Sequence, residues 1–420
     1  MNEQQGSPSA LSGYRALDLT DAKGFFCGKL LGDLGTDVIK IEKPGGDPDR
    51  SRGPFYKDEP HPEKSLYWFA YNTNKRSITL DIEKTDGQEL FRRLVKTADF
   101  VIESFSVGYM DKLGLGYDEL SRVNPKVIMA SITPFGLTGP YKDFKSSDII
   151  VMAMSSLLYS TGYADRPPVW ISFPHAFLLA AGEAAAGIMM ALHHRRRMGE
   201  GQHISTSAQE LLLDSTWDIP TWWFASKVVR CREGGCYSQP ATGLVCRQQW
   251  PCKDGFVTFF FYGGMMGLAG NKALVEWMSS EGFATDYLKQ IDWAKLDWAR
   301  MTQEEVRRME EPTARFFLSH TKKELYVGSV KRNIILYPVN DAKDILENEQ
   351  LMARDYWVEV EHPELKTNIK YPGPFATLSE TPWRIRRRAP LIGEHNSEVY
   401  GKELGLSKEE ILNLKQARII

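Results

Sequence analysis

Strand-like and helix-like segments alternate through the first third of this chain, and that alternation limits its fold more than any other feature. Ala16-Leu17-Asp18-Leu19 reads as a strand. Phe25 to Leu34 places apolar residues at helical spacing and is closed by Gly35, and Val38-Ile39-Lys40-Ile41 reads as a second strand. Ser77 to Leu80, an amphipathic helix from Asp86 to Lys96, Phe100-Val101-Ile102, a helix from Tyr117 to Val123 and the apolar run Val127 to Ile132 continue the pattern. Strands separated by helices of about ten residues predict an α/β class with a Rossmann-like, doubly wound parallel sheet. The first strand-to-helix turn, Asp21-Ala22-Lys23-Gly24, lacks the GxGxxG pattern of dinucleotide sites, which disfavours a nicotinamide cofactor.

With 420 residues the chain exceeds what one core usually supports, so two domains are expected. From about Thr216 the texture turns rich in tryptophan and cysteine, then to short strands at Phe256 to Phe261 and charged helices through Lys323, which reads as a smaller second domain. The 52 basic and 54 acidic residues give a net charge of −2, with no global nucleic-acid surface. Met1 to Ser12 is polar and lacks the apolar core of a signal peptide, so a cytoplasmic location is expected. Ala176 to Leu192 is the one membrane candidate. It is Ala-rich, carries Glu183 and is shorter than the roughly 20 residues of a bilayer span, which favours a buried core helix.

Cys27, Cys231, Cys236, Cys246 and Cys252 are expected as free thiols. The last four cluster, but their gaps of four, nine and five lack the paired CxxC spacing of zinc knuckles, so no metal site is expected. Gly263-Gly264, Gly267 and Gly270 form either a segment that closes over a ligand or a flexible turn after a strand. Trp217, Trp222, Trp223 and Phe224 line either an aromatic acid pocket or a domain interface.

Several ordered motifs then carry a resemblance. Leu17-Asp18-Leu19-Thr20, Leu34 to Pro44, Asn74-Lys75-Arg76-Ser77-Ile78, Gly139-Pro140-Tyr141, Gly199-Glu200-Gly201-Gln202 and Ala389 to His395 are similar to the class III CoA-transferases, the formyl-CoA and carnitine CoA-transferase family. The resemblance runs over nearly the whole chain. It implies a large Rossmann-like domain (1–215, with 336–420 returning to it), a small α+β domain (216–335), and two subunits interlocked as a dimer. It implies no permanently bound cofactor and CoA thioesters as substrates. The CoA site maps to Ala22, Lys23, Lys43, Leu80, Phe105, Lys112 and Lys145. Independently of the family, the phosphates of CoA need cations of this kind, although Lys43 and Lys112 offer point charges where the family often has the arginine fork.

In the family's mechanism an aspartate attacks the acyl-CoA thioester, forming an acyl-aspartyl anhydride and releasing CoA thiolate. The thiolate returns to give an enzyme-CoA thioester that the acceptor acid resolves. Here that aspartate position holds Phe177, and no aspartate lies between Asp165 and Asp214. Glu183 and His175 are weak substitutes. Glu183 follows Phe177 by six helical residues, about 9 Å of rise and a rotated face, and His175 would change the chemistry. Asp148 matches a second acidic position, either shaping the acyl site or capping the following helix. The related 2-methylacyl-CoA racemases need a histidine where Ser147 stands and an aspartate near Ala176, so a racemase fits less well. The leading expectation is the aspartate-less subunit of a heteromeric transferase, as in the type that moves CoA from succinyl-CoA to (R)-benzylsuccinate in anaerobic toluene breakdown. Its partner is an aspartate-bearing paralogue in a heterodimer or heterotetramer, with no nucleic acid or membrane partner. A self-sufficient transferase and a non-catalytic CoA-binding protein are the alternatives.

Overall fold

The computed structural model describes residues 9–239 and 242–420, so residues 1–8 of the polar N-terminal segment lie outside the described residues. The chain divides into two compact units, one of residues 9–157, 170–221 and 350–420, the other of 158–169 and 222–349. The boundaries expected from sequence stand at 215 and 335. Segment 158–169 leaves the first unit for the second, a step that composition alone does not display.

The first unit is built on six parallel strands, β1 (Arg15–Asp18), β2 (Asp37–Glu42), β3 (Lys75–Thr79), β4 (Phe100–Glu103), β5 (Ile128–Thr133) and β6 (His203–Ser207), in the order β3-β2-β1-β4-β5-β6. Leu17 pairs with Ile39 on one side and Val101 on the other. All residues of β4 and β5 are buried, which is why these strands read as apolar runs rather than alternations. The helices are α1 (Phe25–Asp33), α2 (Leu66–Tyr71), α3 (Thr85–Val95), α4 (Tyr109–Lys112), α5 (Tyr117–Val123), α6 (Asp148–Met154) and α7 (His175–Met198). Gly35 ends α1 as expected. Its φ is +114°, its N–H donates to Gly32 O at 3.0 Å, and the Thr36 N–H donates to Leu31 O at 3.0 Å, the paired closure of a Schellman cap.

Strand β3 is a sheet edge, yet all five of its residues are buried. The terminal motif around Pro390 to His395 explains this. The His395 N–H donates to Ser77 O at 2.9 Å and the Ser77 N–H to His395 Nδ1 at 3.2 Å. Asn396 Oδ1 accepts the Thr79 N–H, and the Tyr400 hydroxyl donates to Thr79 O. The tail therefore satisfies an edge that would otherwise expose open backbone groups. The β12–β13 hairpin of the same unit (Trp357–His362 and Thr367–Pro372) lies in this returning segment.

Charge is buried beneath the sheet's carboxyl ends. Lys75 Nζ lies 2.8 Å from Asp18 Oδ2, both side chains are fully buried, and the ammonium also donates to Phe25 O and Asn72 Oδ1. Burial works against the charged Asp18, but Lys75 and Lys40 hold its carboxyl below the usual range. On α1, a Cβ at Gly28 would sit 2.2 Å from Asp18 Oδ2, so only glycine lets the helix lie over the pair.

Helix α7 extends to 24 residues, beyond the expected stretch. By length and composition it is apolar enough to cross a bilayer. Half of its most apolar window is nevertheless buried within the protein, and it packs on α1, β5 and β6. Ala176, Ala180, Ala184 and Ile188 recur every four residues on that buried stripe.

The second unit holds the hairpin β7–β8 (Cys236–Ser238 and Val245–Arg247) and the antiparallel sheet β9 (Gln249–Cys252), β10 (Gly255–Phe259) and β11 (Leu336–Pro338). Trp250, Phe259, Trp277, Phe316 and Phe317 form its core. The glycine segment is neither a closing loop nor a turn. Gly264–Ser280 is a helix, and Gly267 lies so close to the preceding chain that a Cβ there would meet Tyr262 O at 1.8 Å. Gly263 and Gly267 serve close approach, Gly264 takes a left-handed φ of +61°, and the helix is carried by Leu274, Val275 and Met278 beyond them. The five cysteines are unpaired thiols.

Candidate functional site

The strand order reverses between β1 and β4, and in open α/β sheets ligands enter the crevice outside the carboxyl ends of the strands at that reversal. Here the crevice is tied across its mouth, because the Ser104 hydroxyl donates to Asp21 Oδ1 at 2.9 Å and its oxygen accepts the Asp21 N–H at the same distance. Two cavities open beside it, each of about 340 Å³. The first has apolar walls from Leu19, Ile41, Leu80, Phe105 and Tyr109, and a polar side that carries Lys40 and Lys43 together with the carboxylates of Asp21, Glu42, Asp47 and Asp49. The second is polar, with Lys23, Lys142 and Lys145 among the hydroxyls of Ser104, Ser106 and Ser146. Phe105 lines both. The apolar wall of the first suits a flat apolar group, and the three lysines of the second suit anionic charge.

Asp148 has a different neighbourhood. It begins α6, but its carboxylate turns to α7: Oδ1 accepts the N–H of Ala176 at 2.9 Å and of Phe177 at 3.3 Å, while Oδ2 accepts Trp170 Nε1 at 3.0 Å. It therefore does cap a helix, though one that starts 27 residues beyond it rather than the one that follows. Phe177 is buried and Glu183, on the same helix, is exposed. His175, the first residue of α7, meets the Phe173 ring edge-on at 5.8 Å.

The family model for CoA-transferase family III matches residues 11–396. This chain belongs to that family. It is 35% identical to the succinyl-CoA:(R)-benzylsuccinate CoA-transferase subunit BbsE of Thauera aromatica, over 96% of each chain. It is 30% identical to the beta subunit of the succinyl-CoA–L-malate CoA-transferase of Chloroflexus aurantiacus, over 98% of each. Among solved structures, a CAIB/BAIF family protein from Brucella suis superposes with a TM-score of 0.80 at 27% identity, covering 94% of this chain and 99% of that one. The parallel sheet is thus the framework of a family III CoA-transferase.

Within this framework Ala22, Lys23, Lys43, Leu80, Phe105 and Lys145 all follow carboxyl ends of the sheet or the loops leading from them. Five of them line the two cavities, Lys43 and Leu80 the first, Lys23 and Lys145 the second, and Phe105 both. Ala22 lies in the β1–α1 turn, where its N–H donates to Asp49 Oδ2 at 2.8 Å. Lys112 stands apart: the last residue of α4, it is exposed and lines neither cavity. Sequence reasoning passed over Tyr109, Lys142 and Glu83 at the rim. Only the aromatic and basic texture of Tyr141 to Lys145 hinted at one of them. Among the described residues no group of three or more His, Cys, Asp or Glu gathers to hold a metal ion.

Sequence reasoning also missed Glu103, the last residue of β4. Burial pushes its carboxyl up to about 7, against a hydrogen bond from Ser131 and one from the Phe105 N–H at 2.7 Å. A raised carboxyl favours folding fully below its unfolded value near 4.5, and that contribution is lost as pH climbs through about 7. Glu103→Gln keeps the neutral form at every pH. It is expected to gain about 3 kcal/mol over the wild type at pH 8 and nothing at pH 4, read by urea unfolding at both. Equal effects at the two pH values would contradict the assignment.

Proposed function

We propose that this chain is the aspartate-less subunit of a heteromeric family III CoA-transferase that moves CoA from an acyl-CoA such as succinyl-CoA to a carboxylic acid. The acceptor is (R)-benzylsuccinate, as in the transferase type of anaerobic toluene breakdown, and the complex works in the cytoplasm. The observation that carries the reading is Phe177, buried in the first turn of α7: the family resemblance assigns the nucleophile to this position, and a phenyl ring has no atom able to attack a thioester. Two relatives carry names that make them subunits, and one of those names contains (R)-benzylsuccinate. Trp217 and Phe224 are 79% and 81% exposed, an arrangement that favours burial against a partner chain in an interlocked dimer. In this reading Ala22, Lys23, Lys43, Leu80, Phe105, Lys112 and Lys145 hold CoA. Asp148 shapes the acyl site by fixing the first turn of α7 rather than by attacking.

Transfer from succinyl-CoA to (R)-benzylsuccinate is expected only when this chain is combined with an aspartate-bearing paralogue encoded beside it, in a heterodimer or heterotetramer by native mass. Equal transfer by this chain alone would sink the reading and make Glu183 and His175 the next residues to replace.

A further inference from the structure

The lysines of the cleft differ in a way their sequence does not disclose. Lys43 Nζ lies 2.8 Å from Glu83 Oε1, and the same oxygen accepts the Tyr109 hydroxyl at 2.7 Å. Lys23 is paired with Asp21. Lys142 and Lys145 line the second cavity with no ion-pair partner among the described residues. Lys43 thus reaches the apolar cavity already neutralised by a carboxylate of its own chain. Lys43 and Glu83 are 57% and 49% exposed, so the pair stands in solvent and is cheap to break. Glu83 itself is held at the rim, with its N–H on Asp81 Oδ1 and its carboxylate on Tyr109.

We propose that Glu83 is an internal competitor for Lys43, a selectivity residue that a phosphate of CoA must displace before Lys43 can bind it. The proposal rests on the CoA reading above. Two anions cannot share one ammonium at contact distance without mutual repulsion, so an entering phosphate takes Lys43 and leaves Glu83 on Tyr109. A ligand with several phosphates and an apolar end makes this exchange because its other contacts add to the one at Lys43. A lone carboxylate, such as the acid substrates present around the enzyme, has no such support and is kept off Lys43. Glu83 thereby trades some CoA affinity for discrimination against small anions.

The test is calorimetric titration of the full-length wild type, Glu83→Gln, Lys43→Met and the double variant with CoA and with pantetheine, at low and high salt. Glu83→Gln is expected to bind CoA about two- to fivefold more tightly at low salt. The gain shrinks at high salt, disappears in the Lys43→Met background and is absent for pantetheine, which carries no phosphate. CoA binding that is equal in wild type and Glu83→Gln, weaker in Glu83→Gln, or still improved when Lys43 is methionine overturns the competitor role while leaving the CoA reading standing. Absence of CoA binding to every variant overturns the CoA reading, and the competitor role with it.

Discussion

Lys75→Met is expected to cost about 3–5 kcal/mol of stability, because it removes the ion-pair partner of the Asp18 carboxylate in a fully buried site. The nearby Lys40 charge and the Thr20 bonds still support Asp18, but Lys40 Nζ is engaged with the Thr20 carbonyl and Asp47 and does not make the contact that Lys75 made. Removing the charge on both sides should behave differently: Asp18→Asn with Lys75→Met is expected to recover a large part of the loss, since no net charge is then buried. Urea unfolding of the two single variants and the double variant gives the coupling directly. Additive losses would mean that the 2.8 Å contact carries no energetic coupling.

Asp148→Ala is expected to be the second most damaging single change outside the core, at about 2–4 kcal/mol. The carboxylate accepts two backbone N–H groups of the first turn of α7 and the indole of Trp170, and alanine strands the two backbone donors in a buried place and the indole in a half-buried one. Asp148→Asn keeps an acceptor oxygen and is expected to lose less than half as much. The same order should hold for transfer by the mixed complex, because α7 begins at the residues that flank Phe177. Equal stability of the Ala and Asn variants would show that the cap contributes nothing.

The sheet was legible because parallel strands covered on both faces leave short apolar runs with helices between them, as Val127 to Ile132 and Phe100 to Ile102 do. Strand β6, His-Ile-Ser-Thr-Ser, has no such pattern and was missed. Its assignment depends on pairing with β5, which only the folded chain provides. Lys75 enters the sequence reading only as part of the Asn74 to Ile78 motif, with nothing beside it to mark a buried ion pair. It is fully buried because its partner, Asp18, lies 57 residues away. The cap from Asp148 to α7 is hidden for the same reason, since a carboxylate next to a predicted helix is assigned to that helix. Trp217, Trp222, Trp223 and Phe224 are open to two readings, and the structure divides them: Trp217, Trp223 and Phe224 are exposed, while Trp222 lines a cavity of about 330 Å³ with Val228, Arg230 and Tyr237. Lys43, Leu80, Phe105 and Lys145 come from four separate loops, yet all gather along the lining of the two cavities at the carboxyl ends of the sheet.

The most direct test of the central claim is to mix the complex with succinyl-CoA, trap it with hydroxylamine and weigh the two separated chains by mass spectrometry. A hydroxamate on the aspartate of the partner chain, with this chain unmodified, is the predicted result. A hydroxamate on this chain at Glu183 or another carboxylate, or an acyl or CoA adduct on it at His175 or any other residue in a parallel sample quenched without hydroxylamine, would contradict the claim that Phe177 has removed its nucleophile.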